Sequence, residues 1–214
     1  MDILSRPSLK PRKSPVQARS AASVEAILEA TTQVLLLEGK EGLTTNGVAR
    51  RAGVSVGSLY QYFPNKSSLL QAALRSHLDR VYGAVAIVCK QYYGEQLGTM
   101  GKELVVRFLE AKFERIDASL ALYLISDDVE GATIARMMGR KSVEAIAAML
   151  RSSSERLATD TDAAASMLFG AMAGASRRML ESEDPCSARL VLEPELRLMV
   201  VAYLQALKSP LCLE

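Results

Sequence analysis

Residues 44–66 read TTNGVARRAGVSVGSLYQYFPNK, and the rest of the chain becomes legible from them. Thr44 and Thr45 carry hydroxyls that can accept from the orphan amides at the start of a helix. Val48, Ala49 and Ala52 then share one small apolar face at helical spacing. Gly53 stands where that helix must end, in the left-handed conformation that costs glycine least. Ser55 caps a second helix, along which Leu59, Tyr62 and Phe63 recur at the same period. Pro64 stops it, because proline cannot donate to the ladder and pushes Phe63 out of the helical region. Small residues at 49 and 53 let the two helices cross closely, as a helix-turn-helix requires.

Working outward, the apolar residues Val24, Ile27, Leu28, Thr31, Val34 and Leu35 place a helix over 20–38, closed by Gly39. Its inward face is expected to meet Leu43, Val48, Val54, Leu59 and Phe63, completing a three-helix unit. Downstream, Asn65 caps a fourth helix that runs through Leu69, Leu70, Ala73, Leu74 and Leu78 toward Val88. This packing leaves Val56, Gly57, Ser58, Tyr60 and Gln61 facing outward. A helix offered end-first, with free amides and a positive dipole end, suits phosphates and base edges.

The segment resembles the DNA-binding half of the TetR-type (tetracycline-repressor) family of bacterial transcriptional regulators. Leu43-Thr44-Thr45, Val48-Ala49, Ala52-Gly53-Val54-Ser55, Gly57-Ser58-Leu59-Tyr60, Tyr62-Phe63, Asn65-Lys66 and Leu69-Leu70 carry the likeness. The ungapped match spans about a quarter of the chain. It implies an all-α protein, with a three-helix DNA-binding head over 20–74 (motif 44–63) and a helical ligand-binding and dimerisation body over 75–212. It also assigns Thr44, Thr45, Ser58, Tyr62 and Lys66 to phosphate-side contacts and Val56, Gly57, Tyr60 and Gln61 to base edges, and counts Ser55 among the DNA-binding residues. The side chain of Gln61 could pair with adenine and that of Val56 could touch a thymine methyl. Gly47 departs from the family pattern, which usually has a larger residue inside the first short helix.

The wider composition agrees with this reading. The chain has 214 residues, no tryptophan and few aromatics, as helices packed on helices would have. Net charge is +2, yet residues 1–66 hold nine Lys and Arg against five Asp and Glu, a basic front on a mildly acidic body. The first 19 residues, with Pro7, Pro11, Pro15 and five basic side chains, read as a disordered tail or as an arm laid along DNA. Cys89, Cys186 and Cys212 form no CxxC pair and point to a reducing cytoplasm. The most apolar stretch, 163–175, has 13 residues, short of the ~20 a bilayer span needs.

Further helices are expected over 98–116, 118–125, 132–150 and, capped by Thr161 and Asp162, to about 180, with a last one opened by Glu193-Pro194. No catalytic or metal constellation is present, and no cofactor motif. His77 is the only histidine, and Asp127, Asp128 and Glu130 fall at an expected helix end. Tyr92, Tyr93, Phe108, Phe113, Tyr123, Met137, Met138, Met149, Met167 and Met172 are candidates to line a pocket, and Met-rich linings suit a hydrophobic or amphipathic effector. Cys89 reads either as a redox sensor or as an inert buried thiol. The resemblance implies a homodimer interface in the last two helices, for which Gly170, Gly174, Leu196, Val200 and Tyr203 are the candidates. The expected function is therefore a cytoplasmic regulator, a repressor, that binds a palindromic operator in double-stranded DNA and is released by a small molecule. The alternatives are an effector-independent architectural DNA-binding protein and a helical enzyme or carrier.

Overall fold

The structure is a computed structural model describing residues 15–126 and 129–208. The expected tail up to residue 14, the acidic pair Asp127 and Asp128, and Cys212 lie outside the described residues. Nine helices are described: α1 (Pro15–Gly42), α2 (Thr45–Ala52), α3 (Val56–Tyr62), α4 (Lys66–Gln91), α5 (Leu97–Phe113), α6 (Ile116–Ser126), α7 (Val129–Arg151), α8 (Thr161–Leu180) and α9 (Pro185–Ala206). There is no sheet among the described residues, only one isolated bridge between Leu157 and Lys208.

Local chemistry sets the boundaries of the head. Thr44 is extended and its hydroxyl accepts from the Gly47 amide at 3.0 Å, starting α2. Gly53 ends α2 at φ 68°, and its amide reaches back to the carbonyls of Ala49 and Arg50. Ser55 and Asn65 cap α3 and α4 in the same manner, Asn65 within a reciprocal box with Ser68. A side chain at Gly47 would press on the Thr44 hydroxyl at 3.1 Å, so glycine there leaves the α2 cap undisturbed.

Three boundaries differ from the sequence reading. The first helix already runs from Pro15, and it breaks at Gly39 as expected, where φ 69° and ψ 178° leave the helical region before a last turn to Gly42. Asp160, not Thr161 or Asp162, caps α8. The last helix begins at Pro185 behind the cap Asp184, and Pro194 sits inside it. Both prolines follow an acidic residue, but only Asp184 also accepts from the amides of Cys186 and Ser187.

Two apolar clusters organise the chain. The first gathers Ile27, Val34 and Leu35 of α1 with Leu43, Val48, Leu59, Phe63, Leu69 and Leu74. It also takes in Ala121, Leu122 and Ile125 of α6 and Ile134 of α7, so the head shares its core with part of the body. The second joins α4, α5, α7, α8 and α9 around Leu104, Phe108, Ile146, Leu168, Met172 and Leu204. Gly101 lets α5 close on α9, because a Cβ there would lie 2.7 Å from Leu204 Cδ1 and 3.0 Å from Val200 Cγ1.

Residues 20–42 of α1, not 163–175, form the described stretch long and apolar enough, by length and composition alone, to cross a bilayer. Here its Ile27, Val34 and Leu35 are packed into the head's core.

Candidate functional site

The outer surface of the head is built by α3 and the ends of its neighbours. Leu59 and Phe63 turn into the core, which forces Val56 (39% exposed), Tyr60 (47% exposed) and Gln61 onto the opposite, solvent-facing side. Ser55 accepts from the Ser58 amide at 3.0 Å, and the two hydroxyls lie 2.8 Å apart, fixing the leading turn of α3. The Thr45 and Tyr60 hydroxyls are 3.0 Å apart and tie the start of α2 to the outer face of α3. Gly57 is exposed beside them. Tyr62 is half-buried and donates to Ser20 of α1 at 3.0 Å, so its ring belongs partly to the core. Lys66 donates to the Glu41 carbonyl at 3.3 Å on the flank of this surface.

A second feature is a half-open cavity of about 450 Å³ lined by α4, α5, α6, α7 and α8. Each helix contributes one stripe at helical spacing, such as Leu74, His77, Leu78 and Val81 of α4 or Ala135, Met138, Gly139 and Ser142 of α7. Phe108 and Phe169 meet edge to face, with centroids 6.2 Å apart. Of the ten residues expected to line a pocket, only Phe108, Tyr123 and Met138 do so. Met149 and Met172 fill the body core, Tyr93 and Met167 face solvent, Tyr92 donates to Glu103, and Phe113 lies under Arg189. Met137 is turned off the stripe that its neighbour Met138 occupies. Periodicity marks all of them as apolar positions, but it does not say which stripe borders empty space.

The residues missed include the apolar Leu74, Leu78, Val81, Leu122 and Phe169, and a polar set besides. His77, Lys112, Ser119, Ser142, Arg136 and Arg177 all line the cavity. His77 lies 3.4 Å from the Ser119 hydroxyl and is held down to about 3, first by burial and then by the cations Lys112, Arg80 and Arg115. Burial pushes the Lys112 ammonium down to about 8. Burial likewise pushes the Cys89 thiol up to about 12, which makes it the inert thiol of the two readings.

The neutral imidazole has a consequence for stability. The unfolded chain takes up this proton near 6.5 and the folded one only near 3, so stability falls as pH drops through that window. Relative to neutral pH, His77 is expected to cost about 1.4 kcal/mol at pH 5.5. Urea midpoints at pH 7.5 and 5.5 check this: His77→Gln should shrink the pH difference by that amount, and an unchanged difference refutes it.

The expected subunit interface needs one correction. Leu196 and Val200 are buried in the chain's own core, Val200 against Gly101, and Tyr203 packs partly on the same cluster. The stripe of α9 turned the other way carries Leu190, Val191 and Leu198 (65% exposed). On α8, Gly170 and Gly174 are exposed with open space above them, beside Met167 (62% exposed).

Comparison with known proteins agrees with both halves. Residues 27–73 match the model for bacterial regulatory proteins of the tetR family, and residues 97–204 match that for the tetracyclin repressor-like C-terminal domain. The HTH-type transcriptional repressor KstR of Mycolicibacterium smegmatis is 44% identical over 55 residues, which is 26% of this chain and 27% of that protein. KstR of Mycobacterium tuberculosis is 39% identical over 87 residues, 36% and 40% of the two chains. The matched part thus spans well under half the length of these relatives. A transcriptional regulator from Rhodococcus sp. Rha1 shares the fold with a TM-score of 0.69 at 20% identity, over 88% of this chain and 99% of that one. A Mesorhizobium loti chain assigned to the same family does so at 0.66 and 18% identity, over 90% and 99%. The chain belongs to the tetR family of bacterial regulatory proteins.

Proposed function

We propose that the protein is a sequence-specific DNA-binding transcriptional regulator, a homodimeric cytoplasmic repressor, rather than an enzyme. The observation that carries this reading is the outward set Val56, Tyr60 and Gln61 on a capped helix whose other face is locked into the head's core. Thr44, Thr45, Ser58 and Lys66 frame that set with groups able to donate to phosphate. Two such heads bind two half-sites of a palindromic operator about one helical turn apart. The open faces of α8 and α9, with Met167, Gly170, Gly174, Leu190, Val191 and Leu198, make the subunit contact.

In this reading the body, from about residue 75 onward, senses an amphipathic effector in the cavity. Leu122 supports the link, because it borders the cavity and also belongs to the head's apolar cluster. Arg115, in the turn between α5 and α6, pairs with Glu29 of α1 through both terminal guanidinium nitrogens. A ligand that shifts α6 therefore pushes on α1, and differential affinity for the two head spacings is what releases DNA.

Gel-shift against the DNA beside its own coding sequence, with and without a panel of metabolites, tests the reading. Failure to shift that DNA at low salt counts against it, and binding that no metabolite changes favours an effector-independent protein. Two substitutions should separate the contact classes. Lys66→Ala is expected to weaken binding to all sequences and lower the salt slope by about 0.9. Gln61→Ala should instead relax discrimination at one base position by about 1–3 kcal/mol. Equal effects of both on an operator-variant series would refute the division.

A further inference from the structure

Lys112 is 7% exposed, yet it borders the cavity between α4 and α8. Its Nζ donates to the Tyr123 hydroxyl at 3.4 Å and lies 5.0 Å from the centre of that ring. Among the described residues no carboxylate stands within ion-pair distance of it. A tyrosine face and one long hydrogen bond compensate a buried cation only in part. Among the described residues the other charged groups on the lining are Arg136 and Arg177, the latter paired with Glu181 at 2.8 Å, and the lining itself holds no aspartate or glutamate. Among those residues every ionised side chain on the lining is therefore positive, and the rest of its surface is mostly hydrocarbon.

We infer that the cavity binds an amphipathic organic acid, with its carboxylate on the Lys112 ammonium and its hydrocarbon body along Phe108, Phe169, Met138 and Leu78. The inference rests on the proposed reading of the cavity as the effector site, and it names the effector's class. A carboxylate supplies the counter-charge that the protein withholds, and it accepts from Lys112 where a neutral ligand would leave the cation buried without an anion. The Tyr123 hydroxyl accepts from Lys112 and can donate to the second oxygen, whereas the Ser119 hydroxyl is committed to the Lys112 carbonyl at 2.7 Å. Arg136 and Arg177 are exposed, donating to the Ala132 carbonyl and to Glu181, so the buried part of the wall offers one ammonium, which suits a monoanion; a phosphate dianion would need more donors around it. A volume of about 450 Å³ lies within the ~300–1,000 Å³ usual for small-ligand sites.

The test is calorimetric titration of the full chain with straight-chain acids from hexanoate to hexadecanoate and with ring-bearing monocarboxylates, each beside its matching alcohol and monoalkyl phosphate. At least one acid is expected to bind tenfold or more tightly than its alcohol, and more tightly than its phosphate. Lys112→Met should lose about tenfold or more for that acid, while the alcohol's affinity moves less than threefold, which also reports that the cavity is intact. The inference is overturned if no acid outbinds its alcohol, if the phosphate binds best, or if Lys112→Met keeps its preference for the acid. A gel-shift of the unsubstituted protein, run without acid, separates this result from the wider reading. DNA binding without acid preference removes only the ligand class, and acid preference without DNA binding removes the regulator.

Discussion

Replacing Leu59 by alanine is expected to destabilise the protein by about 2–5 kcal/mol and to abolish DNA binding. Leu59 is fully buried, and it is the one fully buried side chain by which α3 holds to the head's core. Seven residues cannot sustain a helix alone, so the orientation of α3 depends on that anchorage. The loss has two parts, the transfer of a leucine side chain to water and a cavity between α1, α2 and α3 that the small residues Val48 and Ala49 cannot fill. Val56, Tyr60 and Gln61 keep their chemistry in this variant but lose their common direction. Urea unfolding and gel-shift at equal protein concentration check it. A change below about 0.5 kcal/mol with intact DNA binding would mean that α3 is held by something else, and would remove the structural basis of the interface.

The second large effect concerns assembly. The double substitution Met167→Glu and Leu198→Glu is expected to yield a stable monomer whose affinity for a two-half-site operator falls by about 10²–10⁴. Both side chains already face solvent, so the folded monomer should tolerate the change. In a two-fold contact each substitution occurs twice, and the new carboxylates would meet across the axis. Without the partner, the second half-site no longer benefits from a head held nearby, and that is where most of the affinity is lost. Sedimentation together with gel-shift decides: a dimer that persists with unchanged operator affinity moves the interface elsewhere.

Much of the head could be read from sequence because its determinants are local. Thr44, Ser55 and Asn65 cap helices with their own side chains, and Gly53 turns because it alone is at ease at positive φ. Leu59 and Phe63 at helical spacing fix which residues of α3 remain outside. None of this needs knowledge of a distant segment. The last helix shows where the same logic misleads: Pro194 satisfies the rule for a first-turn proline, but Pro185 has the capping carboxylate as well.

The body was decided differently. Both α8 and α9 carry apolar residues on more than one side, so the resemblance, which names the helices but not their faces, put Leu196 and Val200 at a subunit contact when they belong to the core that Gly101 opens on α5. The cavity is likewise a property of five helices at once. In sequence Lys112 is an ordinary charge on a helix and His77 an isolated imidazole; only the arrival of Tyr123, Ser119 and Phe108 around them makes one a buried cation and the other a neutral ring. By itself the sequence determined the helical class, the helix-turn-helix and its outward residues, since caps, turns and spacing act within a few residues. Tertiary structure alone decided which apolar stripes face each other and what charge the cavity encloses, because burial and electrostatics depend on segments far apart in the chain.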